Sequence, residues 1–121
     1  MVEAIVKASR GEKMKTKTET KISLKNSIRK EILSWENVSE KKSNYSFVKA
    51  FFANGKEFCH FHSENEMDIN YFGNVPKEIL RNRNVSENPY SGKWFIYSFN
   101  SEKDAAELIK LAKQSYGKVK L

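Results

Sequence analysis

Asn54-Gly55 lies between two runs rich in aromatic and β-favouring residues, NYSFVKAFFA before it and KEFCHFHS after it. A type I′ turn needs positive φ at both central residues, and Asn-Gly supplies this more readily than almost any other pair. The chain is therefore expected to fold back on itself here as an antiparallel hairpin, with strands over Asn44–Ala53 and Lys56–Ser63. A second reversal at SENE, residues 63–66, leads into a third strand from Met67 to Tyr71 or Phe72.

The flanking segments read as helices and one further strand. Leu24, Ile28, Ile32 and Trp35 recur at helical spacing behind Ser23, a residue suited to an N-cap, which predicts a helix over Ser23–Trp35. The segment ENVSEKK after it has loop chemistry. Pro76 suits the first position of a short helix, where its missing N–H is not needed. Val85 to Gly92, with Pro89 and Gly92, reads as a loop crossing an end of the sheet. Lys93–Phe99 alternates with apolar residues on both faces, as an interior strand does. A last helix starts at Ser101 with Asp104 three residues on, close to a capping box, and carries Ala105, Leu108 and Ala112 on its stripe. It is expected to end at Tyr116, with Gly117 as a left-handed cap. The order α-β-β-β-α-β-α, with tight turns between consecutive strands, implies α+β architecture: a four-stranded antiparallel sheet with helices packed on one face.

At 121 residues the chain has the length of one domain and can bury a core without disulfides or a structural metal. Residues 1–21 mix Lys, Glu and Thr with no apolar periodicity after Val6, which predicts a polar basic arm without packed structure ahead of a domain over 22–121. Met14 is a second candidate start. No run is apolar enough to cross a bilayer and no secretory h-region is visible, so a cytoplasmic location without a membrane partner is expected. The single cysteine, Cys59, cannot form an internal disulfide; mid-strand between Phe58 and His60, it reads as a core residue. The net charge of +7 permits attraction to nucleic acid, but the lysines are interspersed with glutamates and no RNA-binding aromatic signature accompanies them, so nucleic acid is not the favoured partner.

His60 and His62 are two apart on a strand and so share a face. If Met67 and Ile69 point into the core with Cys59 and Phe61, then Asp68 and Asn70 lie on the histidines' side. A ligand over that face would meet His60, His62, Asp68, Asn70 and Trp94. His60, His62 and Asp68 would also leave open positions on a divalent metal ion, which makes metal-assisted hydrolysis the enzymatic alternative to a binding module. A one-residue slip would move Asp68 to the other side. Glu57, Glu64 and Glu66 are nearby acceptors for the imidazoles. No G-x-S-x-G, P-loop or dinucleotide fingerprint is present.

The runs GKEFCHFH, MDINYF, PYSGKWFIYSF and DAAELIKLAKQSY together resemble the small luciferase-family domain of bacteria and archaea. The matching positions are Gly55, His60, His62, Asp68, Ile69, Phe72, Ser91, Gly92, Trp94, Asp104 and Tyr116. The likeness covers roughly Leu24 to Tyr116. The chain departs from the pattern in having Lys93 between Gly92 and Trp94, and Asn84–Asn88 where a histidine-rich segment is expected. The resemblance implies a fold and a shared His/Asp cluster; it implies neither an established reaction nor light emission.

Overall fold

In a computed structural model, residues 17–119 are described, with side chains from Leu24 onward. The expected polar arm falls largely outside them. The elements are α1 (Lys17–Leu33), β1 (Val38–Lys42), β2 (Lys49–Ala53), β3 (Lys56–Ser63), β4 (Glu66–Asn70), α2 (Lys77–Leu80), β5 (Val85–Glu87), β6 (Trp94–Ser98) and α3 (Glu102–Val119).

The strands form one six-stranded sheet in the order β1-β2-β3-β4-β6-β5, with every neighbouring pair antiparallel. The sheet therefore has two strands more than the four expected, although the α+β class holds. Both additions are edge strands. β1, with the sequence VSEKK, pairs its whole length with β2, from Val38 opposite Ala53 to Lys42 opposite Lys49. β5 pairs Val85–Glu87 with Tyr97–Phe95. Each is short, polar and half solvated, which removes the apolar alternation that marks a strand in sequence; charged residues on edges also discourage pairing between molecules.

The Asn54-Gly55 turn has φ of 53° and 75°, as its type requires, and β3 spans the expected residues. The first strand of that hairpin is shorter than expected: β2 starts at Lys49 rather than Asn44, and Ser43–Val48 is a loop joining β1 to β2. Pro76 stands just before α2, in extended conformation, rather than as its first residue.

The core lies on one face of the sheet. Leu24, Ile28, Ile32 and Trp35 from the α1 segment, and Ala105, Leu108, Ala112 and Tyr116 from α3, pack on Phe51, Cys59, Phe61, Met67, Ile69, Phe95 and Tyr97. The 3.6-residue and two-residue periods of the sequence converge on this cluster. At the start of α3, the Asp104 N–H donates to Ser101 Oγ (3.1 Å), and an Asp104 carboxylate oxygen accepts from the Asn100 N–H (2.9 Å), a reciprocal cap. Two boundaries differ from expectation. Ser23 lies inside α1, which starts at Lys17. Gly117 lies inside α3, which runs on to Val119, and its φ is not positive.

Candidate functional site

The site occupies the sheet face turned away from α1 and α3, and its shape depends on an irregularity in β3. Phe51 pairs with Cys59, yet Phe52 pairs with Glu57, so Phe58 is an extra residue. In a regular strand, residues three apart point to opposite faces. The bulge lets Phe58 and Cys59 both enter the core, and it places Glu57 on the same face as His60. A second shift in register, between Phe61 and Ser63, falls at His62.

Four ionisable side chains form a chain across this face. His60 Nδ1 lies 2.8 Å from Glu57 Oε2, and His60 Nε2 lies 2.9 Å from Asp68 Oδ2. His62 Nδ1 lies 2.9 Å from the same Asp68 oxygen. Glu57 also accepts from the Ser43 hydroxyl (2.7 Å) and the Asn44 N–H (2.7 Å). Asp68 Oδ1 accepts from Asn88 Nδ2 at 3.3 Å. Glu57, His60 and Asp68 are buried.

Burial alone would drive the His60 pKa down. The hydrogen bonds to Asp68 and Glu57 outweigh it and raise the pKa to about 9. Burial likewise pushes both carboxylates up, and their hydrogen bonds bring them below the ordinary range: chiefly from His60, then from Ser43 and Asn44 on Glu57, and from His62 on Asp68. His60 is thus an imidazolium whose two N–H groups donate to two ionised carboxylates.

The arrangement fits a hydrogen-bonded relay better than a coordination site. A histidine ligates a metal through a neutral ring nitrogen with a free lone pair. Both nitrogens of His60 are engaged as donors, and Asp68 Oδ2 already accepts twice. Among the described residues no group of three or more His, Cys, Asp or Glu side chains is disposed to hold a metal ion.

A cleft of about 820 Å³ opens over this relay. The loop Ser43–Val48 and the loop from Asn88 to Lys93 both contribute to its walls. Trp94 packs against His60, with ring centroids 5.3 Å apart, and Tyr45 meets Trp94 edge-on at 5.4 Å. Of the residues expected over this face, His60, His62, Asp68, Asn70 and Trp94 all line the cleft. Asn70 has a largely structural engagement: its amide reaches the Glu57 carbonyl at 3.4 Å and its oxygen accepts from the Phe72 N–H at 2.8 Å. His62 is 45% exposed, and its Nε2 has no partner among the described residues.

The residues 55–115, half of the chain, match the family model of the luciferase domain. The chain belongs to the luciferase-domain family. The match spans β3, β4, β6 and most of α3, and so includes His60, His62 and Asp68. It leaves out α1 and β1, as well as the Ser43–Val48 loop that completes the cleft of this luciferase-family domain. Neither the curated proteins nor the solved structures give a match.

Sequence reasoning undervalued three contributors. Glu57 reads only as a nearby acceptor, because its partnership with His60 needs the bulge. Ser43 and Asn88 lie in segments that read as connections. The signal for the bulge is the adjacent Phe58-Cys59 pair, two core-type residues where alternation allows one.

Proposed function

We propose that this luciferase-family domain is a small-molecule binding module whose ligand lies in the cleft above the Glu57–His60–Asp68–His62 relay. The observation that carries the reading is the state of His62. Its Nδ1 is held by Asp68, which fixes the ring, and Nε2 is left to meet a ligand. Trp94, Tyr45 and Phe72 supply apolar wall, and few polar groups converge on it, the usual composition of a ligand pocket. His60 serves this site by positioning: it neutralises one of two buried carboxylates and holds Asp68 for His62.

A second reading rests on the same contact. An imidazole oriented by a carboxylate can exchange a proton with a bound substrate at its other nitrogen. Two carboxylates and one imidazolium, Glu57, Asp68 and His60, leave a formal charge of −1 under the cleft. In this reading His62 is the general base and Asp68 the residue that orients it.

A fragment screen followed by imidazole and indole NMR resonances tests the proposal. Binders should shift His62 and Trp94 together, and His62→Ala should weaken them by roughly tenfold, the effect of losing one directional hydrogen bond. Fragments that bind elsewhere, or none that shift His62, would refute it. Turnover of any binder, abolished in folded His62→Ala protein, would select the enzymatic reading.

A further inference from the structure

Among the described residues the exposed large hydrophobic side chains are Tyr45, Phe47, Val48 and Tyr90, at 68%, 98%, 40% and 93% exposure. Single exposed apolar residues are ordinary on protein surfaces. These four are concentrated. Three occupy the Ser43–Val48 loop and the fourth the Asn88–Lys93 loop, and Tyr45 and Tyr90 both line the mouth of the same cleft. None belongs to the core cluster.

Lysines flank both loops: Lys41 shares the cleft face with Phe52, whereas Lys42 and Lys49 are in phase with Val38, Glu40 and Phe51 on the α1 face. Lys42 and Lys49 are paired at the base of the first loop, Lys93 lies in the second loop against the cleft, and Lys41 is the next residue back along β1. All four are exposed. Lys41 Nζ lies 4.9 Å from the Phe52 ring centroid. The acids nearby are largely committed: Glu57 and Asp68 are buried with His60, and Glu40 is bound by Arg29 at 2.6 Å. Glu87, at the end of β5, is the exposed carboxylate on the approach to the second loop.

Aromatic side chains at loop tips, flanked by lysines, match the two layers of a membrane surface. The rings favour the headgroup–acyl boundary, and the ammonium groups favour the anionic charge outside it. We propose that the mouth of the cleft docks peripherally on anionic phospholipid, with Phe47 and Tyr90 entering the interface and Lys41 and Lys93, on the cleft side, meeting the headgroups. The sequence-based expectation of no membrane partner rested on the lack of a spanning segment. No helix among the described residues is long and apolar enough to cross a bilayer, and surface docking needs none. In this orientation the cleft opens onto the lipid headgroups.

The test is co-sedimentation of the full chain with phosphatidylcholine vesicles and with the same vesicles containing phosphatidylserine. Binding is expected to the anionic vesicles alone, weakening as salt rises. The double variant Phe47→Ser/Tyr90→Ser should bind them at least about tenfold more weakly, in keeping with loss of two interfacial aromatics. Its melting temperature should be unchanged, because both rings are exposed. Lys41→Glu/Lys93→Glu should weaken binding further than neutral substitution. The lysine-rich N-terminal segment is intact in every variant. Anionic binding that survives the aromatic double variant would therefore assign the affinity to general basicity and overturn the proposal. Absence of binding to anionic vesicles would overturn it as well. So would a concentration-dependent dimer, lost in the double variant, in protein that ignores vesicles: that result would give the mouth to a second copy of the chain.

Discussion

His60 holds two carboxylates that would otherwise repel each other out of water. Its removal leaves buried Glu57 with only the Ser43 and Asn44 donors and Asp68 with only His62 and Asn88, a loss on the order of 3–5 kcal/mol for a broken buried pair. His60→Gln is therefore expected to lower the denaturant midpoint strongly, with urea unfolding as the measurement. The same contacts set the pH response. The folded pKa of His60, about 9, lies above its ordinary 6.5, so its contribution is full below about pH 6.5 and disappears as pH rises through 9. Glu57 and Asp68 are shifted down, so their contributions are present above their ordinary values and disappear as pH falls through the lower folded ones. Wild-type melting temperature should fall between pH 7 and pH 10, and His60→Gln should flatten that decline. An equally steep decline in the variant would place the alkaline loss elsewhere. At this scale the sequence was informative about three groups and poor about the fourth. His60, His62 and Asp68 follow from simple alternation. Glu57 requires a residue that breaks alternation, and only the adjacent Phe58-Cys59 hints at it.

At the scale of elements, legibility follows burial. β3, β4 and β6 have a core face, and their phase is written in apolar residues. β1 and β5 have little to bury, so VSEKK and VSE look like loops until a partner strand is in place. Helix ends carry the same lesson. Glycine after Tyr116 suggests a stop, yet α3 continues through Gly117 to Val119, which is buried. The two possibilities give opposite signs for one substitution. Gly117 is exposed, has no atom within 4 Å of where a Cβ would stand, and lacks positive φ. Gly117→Ala should therefore stabilise by about 0.5–1 kcal/mol, through lower entropy of the unfolded chain and better helix propensity. A left-handed cap would instead make the alanine destabilising, and thermal melts of the two proteins decide between them. Ser115, two residues earlier, ties this helix to the sheet: its hydroxyl donates to the Asn70 carbonyl at 2.6 Å and lies 3.3 Å from that of Phe58. The helix layer thus touches β3 at its bulge, directly behind Glu57.

Across the whole molecule, one sheet separates a sealed core from an open cleft, and consecutive residues of β3 face each. Cys59 enters the core while His60 faces the cleft. The thiol is wholly buried, and burial, with the negative charge of Glu57 behind it, holds its pKa well above the ordinary value. A thiol reagent can reach it only when the sheet opens, because β2 and β4 flank β3 and the α1 and α3 side chains cover its face. Cys59 should therefore report global opening of the domain rather than local fluctuation of the loops. Labelling by a soluble disulfide reagent at neutral pH is expected to be at least roughly a thousandfold slower in the native protein than in urea, given ordinary domain stability. The Phe47→Ser/Tyr90→Ser variant, altered only at exposed rings, should label at the wild-type rate. His60→Gln should label much faster, in proportion to its loss of stability measured by urea. Fast labelling of the native wild-type protein would mean that the strand order around β3 is wrong. Acceleration in His60→Gln without a matching loss of global stability would mean that the relay holds only the site and not the sheet.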